Sequence, residues 1–373
     1  MSTFAVTINR IKIEPHPDAD AIELAVIGEY RSVVKKGIYK TGELVAYIPE
    51  AAVLPEWLLK EQGFWSEEEN KGTLAGSKGN RVKAIRLRGI MSQGICYPIN
   101  LSINMINNEN SEQIAKEFDD VTEFLGITKY EPPIPIAMAG EVCNLFGYTI
   151  NYDIENWKKY PTLIQDGEEV IFTEKVHGTW CVMAYVQQLN HPEIEEGKFV
   201  VSSKGLSQQG LAFKFNENNS NNVYIRMFFK IKNKIKKISE FFETSVYVLG
   251  EIFGPIQDLR YGFSEPQFRV FDIYVGLPGN GYYLDKPKVI ELCTMFDFES
   301  VPLLYQGPFS IKILKQYTEG KETVSGHEIH IREGLVINVV PERFDILLGG
   351  RLVLKSVSDA YLARKGKNLT EFN

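Results

Sequence analysis

Residues 168–186 read EEVIFTEKVHGTWCVMAYV. Two runs rich in β-branched and aromatic residues, Val170 to Phe172 and Trp180 to Val186, flank a short polar interruption. Runs of this kind read as strands. The interruption sets a lysine, Lys175, at the end of the first strand and a glycine, Gly178, ahead of the second. A long cation placed where an apolar run turns inward needs a partner, because an unpaired charge is costly to desolvate. Taken alone, such a lysine reads as a paired structural residue whose stem packs and whose head finds water.

The same pattern recurs downstream. SSKG (202–205), LGEIFG (249–254), VFDIY (270–274), REGLVI (332–337) and LKS (354–356) each place a charged or aromatic residue on an apolar strand. One of these is unremarkable for a strand edge. In ordered succession they imply charges that pair with one another, a ligand or a metal, and hence a converging site.

The chain has 373 residues, 44% hydrophobic and 24% charged, with a formal net charge of −7. The length predicts two domains. An acidic balance argues against a protein that coats nucleic acid by charge alone. Two basic runs, 71–90 (KGTLAGSKGNRVKAIRLRGI) and 226–237 (RMFFKIKNKIKK), are read either as solvated faces or as phosphate-facing patches. The four cysteines are scattered with no CxxC pair, which suits a reducing, intracellular and cytoplasmic setting. No signal peptide or membrane span is evident. HEIH at 327–330 lacks the spacing of a zinc-protease helix, and neither a P-loop nor a Rossmann glycine motif occurs.

Before residue 100, short alternating runs such as FAVTINRIKI, AIELAVI, RSVVKK, ELVAYIP, RVKAIRL and ICYPI predict an all-β barrel or sandwich. Residues 102–126 turn polar and then helical. KYEPPIPIAMAGE at 129–141 reads as a linker around Pro132, Pro133 and Pro135. From about 140 strands and helices mix, with helices expected over 222–243 and from Pro287 to Phe296.

The ordered set beginning with EKVHG resembles motifs I, Ia, III, IIIa, IV and V of the covalent nucleotidyltransferases: ATP-dependent DNA ligases, RNA ligases and mRNA capping enzymes. IEPHPDADAIELAVIGEYRSVVKKG, followed by YIPEAAVLP and KYEPPIP, is similar to the N-terminal OB domain and linker of Deinococcus-type RNA ligases. The resemblance implies an α+β nucleotidyltransferase, with ATP-grasp-like antiparallel sheets and helices, preceded by an all-β OB-fold domain. The implied division is 1–118 for a nucleic-acid-binding domain, 119–139 for a linker and 140–373 for the adenylyltransferase.

The resemblance also implies roles. Lys175 would attack the α-phosphorus of ATP and carry AMP, with Glu174 and Gly178 around the nucleotide. Attack needs a free amine, and the nearby cations Lys204 and Lys355 or a divalent metal would lower its pKa. Lys204 would steady the AMP, Glu251 would contact the ribose, Phe271 would stack on adenine and Lys355 would neutralise the α-phosphate. Glu333, with Glu251 and Asp272, would hold Mg²⁺ or Mn²⁺. The implied reaction is ATP-dependent sealing of RNA 5′-phosphate and 3′-OH ends, as in a nicked duplex, by a monomer.

Two positions depart from the common motifs. His177 stands where KxDG has aspartate, and a histidine cannot supply the same fixed charge. Val353 stands where motif V often has a second lysine, with Arg351 two residues earlier. After Lys355 the remaining residues are too few for the OB domain that follows motif V in DNA ligases and capping enzymes, which weighs against those alternatives. The other alternative is an RNA-binding protein with an inactive transferase domain.

Overall fold

The computed structural model describes residues 4–98, 116–191 and 197–364. The chain forms two compact units. One takes the chain up to Pro132 together with Asn156–Thr162 and the segment from Asp359; the other takes Pro133–Glu155 and Leu163–Ser358. Among the described residues no helix is long and apolar enough to cross a membrane.

The first unit is built on β1 (Thr7–Arg10), β2 (Lys12–Pro15), β3 (Ile22–Ile27), β4 (Tyr30–Lys35), β5 (Leu44–Ile48) and β6 (Ile95–Pro98). β1, β5 and β6 form one antiparallel sheet, and β2, β3 and β4 a second. β5 is buried on both faces: Val45 joins Ile11, Ala25 and Cys96, while Ala46 and Ile48 join Ile8, Leu58 and Tyr97. Alternation of side chains along a strand gives this division.

Residues 119–127 fall within the stretch expected to be linker, yet Val121, Leu125 and Ile127 pack into the core of this unit. The division between units falls at Pro132–Pro133, inside the proline run. The helix expected within 102–126 lies partly outside the described residues, and from 116 to 126 the chain makes turns instead. Asp119 accepts from the Lys116 amide and Asp120 from the amide and hydroxyl of Thr122, and such local bonds compete with a helix.

The second unit stacks its chemistry on two antiparallel sheets. The first runs β12-β7-β13-β14, where β7 is Glu169–Glu174, β12 Leu303–Pro308, β13 Gly334–Val339 and β14 Val353–Val357. The second runs β9-β8-β10-β11, with β8 Thr179–Tyr185, β9 Phe199–Ser203, β10 Val246–Phe253 and β11 Gln267–Val275. Its core gathers Val182, Val200, Val248, Leu249 and Ile273.

Helices α1 (Val223–Phe242), α2 (Lys286–Met295) and α3 (Ile311–Thr318) pack in this unit. α1 starts where the Asn222 side chain accepts from the amides of Tyr224 and Ile225, which satisfies free donors of the first turn. It buries Tyr224, Phe228, Ile235 and Ile238 in the same core. Its basic residues face acids: Arg226 lies 3.7 Å from Glu265, Lys234 2.8 Å from Asp297 and Lys236 3.8 Å from Glu240. The run 226–237 therefore reads as a solvated helix face.

Candidate active site

Residues Lys175 to Gly178 carry the chain from the first sheet, at the end of β7, to the second, at the start of β8. The Lys175 amide still bonds the Gly334 carbonyl at 3.0 Å, so the lysine is anchored to the first sheet as it leaves it. Thr173, Val336 and Lys355 lie opposite one another across β7, β13 and β14. Strand alternation puts them on one face, and Lys175, two residues on from Thr173, follows the same side. Lys355 is buried within that row.

Glu174 takes the opposite face, contrary to its expected place around a nucleotide. Its carboxylate accepts from the amide and hydroxyl of Thr323, at 2.8 and 2.6 Å, and lies 3.8 Å from Arg332. Phe172, on that same face, packs against Tyr305 and Tyr317.

Lys175 donates to Glu333, which directly precedes β13. Burial alone would push the Lys175 amine down, but the carboxylates of Glu333 and Glu251 outweigh it and hold its pKa above the ordinary lysine value. The carboxylates thus act against the depression expected from neighbouring lysines and the metal. Glu251 is pushed up to about 8, by burial first and by the Glu333 charge, against the pull of Lys175. Glu333 is held below the usual carboxylate range because Lys175 and His177 overcome its burial. One lysine thus faces two acids of opposite tendency, of which Glu333 carries the charge and Glu251 is poised to take a proton.

Gly178 is required by close approach. A Cβ there would stand 2.2 Å from the Ile252 carbonyl oxygen and 2.9 Å from Glu251 Cγ, so the glycine lets motif I and motif III share one space. Lys204 opens a short helix, Lys204–Gln208, and its Nζ lies 3.2 Å from Asp153. Its charge also pulls on Glu251. Phe271 is the extra residue of a bulge in β11: Leu249 faces Asp272 and Gly250 faces Val270, leaving Phe271 without an opposite number. Bulges of this kind re-aim a side chain. The Phe271 ring lies 5.3 Å from that of Tyr152.

Asp272, expected among the metal ligands, is committed elsewhere. It is fully buried and accepts from Arg351 Nη1 at 2.6 Å, while Arg351 spends its other edges on Glu342 and covers the Tyr283 ring at 4.3 Å. A carboxylate neutralised by a buried guanidinium fork is a poor ligand for a hard cation. Arg351 accordingly serves this cluster and is not a displaced motif V lysine. Buried Lys286 bonds the Phe271 carbonyl from the start of α2, and burial pushes its amine down.

Among the described residues no group of three or more His, Cys, Asp or Glu side chains is arranged to hold a metal ion. HEIH lies in a loop folded around Glu322, which accepts from the amides of Ser325 and Ile329. The basic run 71–90 is partly structural: Arg81 is buried and stacks on Tyr130 at 4.1 Å, and Lys71 pairs with Glu69. Arg86 and Arg88 stay exposed on the hairpin of Ile85–Leu87 with Ile90–Ser92. Sequence reasoning missed Tyr152, Asp153, Asp258 and Tyr261, which touch motif residues. The last two sit in GPIQDLRYG, directly after motif III, where turn residues interleave with a charge and an aromatic.

The two-sheet unit is an α+β nucleotidyltransferase-like domain, and it follows an OB-fold domain. A family model described as RNA ligase matches residues 168–357, and a model for an OB-fold domain matches residues 5–99. The chain belongs to the RNA ligase family. Three structures of Naegleria gruberi RNA ligase share its fold: a lysine-to-alanine variant with ATP and Mn, a glutamate-to-alanine variant with AMP and Mn, and the protein with PPi. Their TM-scores are 0.70, 0.73 and 0.71 at 23%, 23% and 24% identity, and each alignment covers 96% of this chain and 98% of the other. Curated protein sequences return no match.

Proposed function

We propose that the protein seals RNA ends with ATP through an AMP adduct on Lys175. In the first step the Lys175 amine attacks the α-phosphorus of ATP; an N–P bond forms, the bond to the bridging oxygen breaks and pyrophosphate leaves. In the second, a 5′-phosphate oxygen attacks the adduct and takes the AMP, freeing the lysine. In the third, a 3′-hydroxyl attacks the 5′-phosphorus, and AMP leaves as the ends join. Each is an in-line displacement in which a protein contributes position and positive charge.

The observation that carries this reading is the Lys175–Glu333 pair at the crossing between sheets, with Glu251 beside it. Lys175 must lose a proton to attack, and Glu333 already accepts a hydrogen bond from it. Lys355, on the same face of the first sheet, supports charge neutralisation at the α-phosphate. Phe271 suits adenine stacking, worth about 1–3 kcal/mol. Lys204 and Glu251 suit the phosphate and ribose.

A divalent metal fits Glu333. Its Oε2 is buried without a hydrogen-bond partner, and Mg²⁺ binds through one or two carboxylates while keeping several waters. When bound, such an ion offsets phosphate charge and polarises the phosphoryl group. The Naegleria structures with ATP, AMP and Mn support both ligands. The Deinococcus-type likeness of residues 13–37 extends the reading to nicked duplex RNA, with the OB-fold domain on the nucleic acid and a ribose 2′-OH sensed on the 3′-OH side.

The test uses ATP labelled at the α-phosphate with Mg²⁺ or Mn²⁺, followed by denaturation. Covalent label from ATP, absent in Lys175→Ala, is the expected result. No label under either metal sinks the proposal. Equal sealing of nicks with DNA or RNA on the 3′-OH side would sink the RNA assignment.

A further inference from the structure

His177 is buried and held from three sides. Its amide donates to Tyr261 Oη at 2.8 Å, its Nε2 lies 2.7 Å from Asp258 Oδ1, and its Nδ1 lies 3.4 Å from Glu333 Oε2. Asp258 and Tyr261 both come from the segment just past β10. The backbone of His177 is therefore pinned by Tyr261, and Asp258 and Glu333 face its two ring nitrogens.

We propose that Asp258 is a positioning residue: it accepts the Nε2–H of His177 and holds the ring so that Nδ1 faces Glu333, and a His–Asp pair thus stands at the third position of motif I where an aspartate would stand alone. The inference rests on the reading of Lys175 and Glu333 as the reacting centre. An imidazole that donates one N–H to a carboxylate has its tautomer and ring plane fixed, and its other nitrogen is aimed. Losing such an outer partner costs about 10–100-fold where a site depends on the ring. The Asp258 side chain is 55% exposed, against 10% for His177, so replacing it removes the hydrogen bond without opening the core.

The experiment follows label uptake from ATP by the full chain in Asp258→Ala, Asp258→Glu, His177→Asn and the double variant Asp258→Ala/His177→Asn. Asp258→Ala is expected to slow uptake at saturating ATP by about 10–100-fold, with KM for ATP within about twofold. Asp258→Glu should recover part of the rate. In the His177→Asn background the further change at 258 should cost less than about twofold. An equal loss in both backgrounds, or a loss confined to KM, overturns the proposal. A second readout does not depend on activity. The ¹⁵N spectrum of the histidine side chains should show a protected Nε2–H signal, assigned by its loss in His177→Asn. It should vanish in Asp258→Ala and persist in Lys175→Ala. Its persistence in Asp258→Ala overturns the proposal. If the wild-type chain takes no label, the reading of the reacting centre falls, and this spectrum still decides the role of Asp258.

Discussion

The second unit contains two buried charge clusters that differ in kind. Around Arg351 the chain sets Asp272, Glu342 and Lys286, and the guanidinium uses Nε, Nη1 and Nη2 on two carboxylates. Around Lys175 it sets Glu333, Glu251 and His177, and the ammonium is a point charge between two carboxyl groups of opposite tendency. Glu333 keeps an oxygen without a hydrogen bond, and Glu251 is driven up to about 8. The first cluster is closed on itself and holds the fold. The second is less fully paired. Arginine suits the closed case through its fork; lysine suits the open one because its charge can be withdrawn.

The contrast can be broken at either cluster. Lys175→Ala should abolish covalent labelling while leaving the thermal midpoint unchanged or higher, as seen by gel and by thermal unfolding. A large drop in midpoint would show the lysine to be structural. Arg351→Ala should do the opposite. Removing one partner of a buried pair costs about 3–5 kcal/mol, so the protein should lose thermal stability first and activity only with it. A stable, inactive Arg351→Ala would move that cluster into the chemistry.

Glu251→Gln sharpens the comparison through pH. The raised pKa means the folded protein holds a proton more tightly than the unfolded chain, so Glu251 contributes most to stability at low pH. That contribution falls as pH rises from the ordinary glutamate value of 4.5 toward about 8. The variant should therefore gain midpoint over the wild type across this window, by about 2–4 °C for each kcal/mol. A constant difference from pH 4 to pH 9 would refute the assignment. Lys286→Met should have the smallest effect. A volume-matched apolar replacement costs less than about 1.5 kcal/mol, and the loss of its bond to the Phe271 carbonyl should appear in KM for ATP. An unchanged KM would detach Lys286 from the nucleotide pocket.

Much of this architecture is legible in the sequence. The strands Glu169–Glu174 and Thr179–Tyr185 fall on the apolar runs read there, and Lys175, Glu251, Glu333 and Lys355 come together in one unit. The illegible part depends on partners far along the chain. Asp272 reads as a metal ligand because its true partner, Arg351, lies 79 residues away, and His177 looks uncompensated because Asp258 lies 81 residues away. Glu174 misleads for a different reason. Adjacent residues on a strand face opposite ways, so standing next to Lys175 puts its side chain behind the sheet. The helix expected near 116–126 does not form because Asp119 and Asp120 serve turns.

The composition of the first unit bears on how the chain is made. The Glu29 amide bonds the Lys158 carbonyl at 2.8 Å, Lys158 Nζ reaches Gln93 at 2.7 Å and Asp359 at 3.1 Å, and Tyr361 and Leu362 are buried. An N-terminal domain ordinarily completes itself as it leaves the ribosome, ahead of the domains made later. Here the unit that begins first still acquires contacts when residues 359–362 emerge. Synthesis that stops after motif V yields a chain with every motif residue in place and its first unit unfinished.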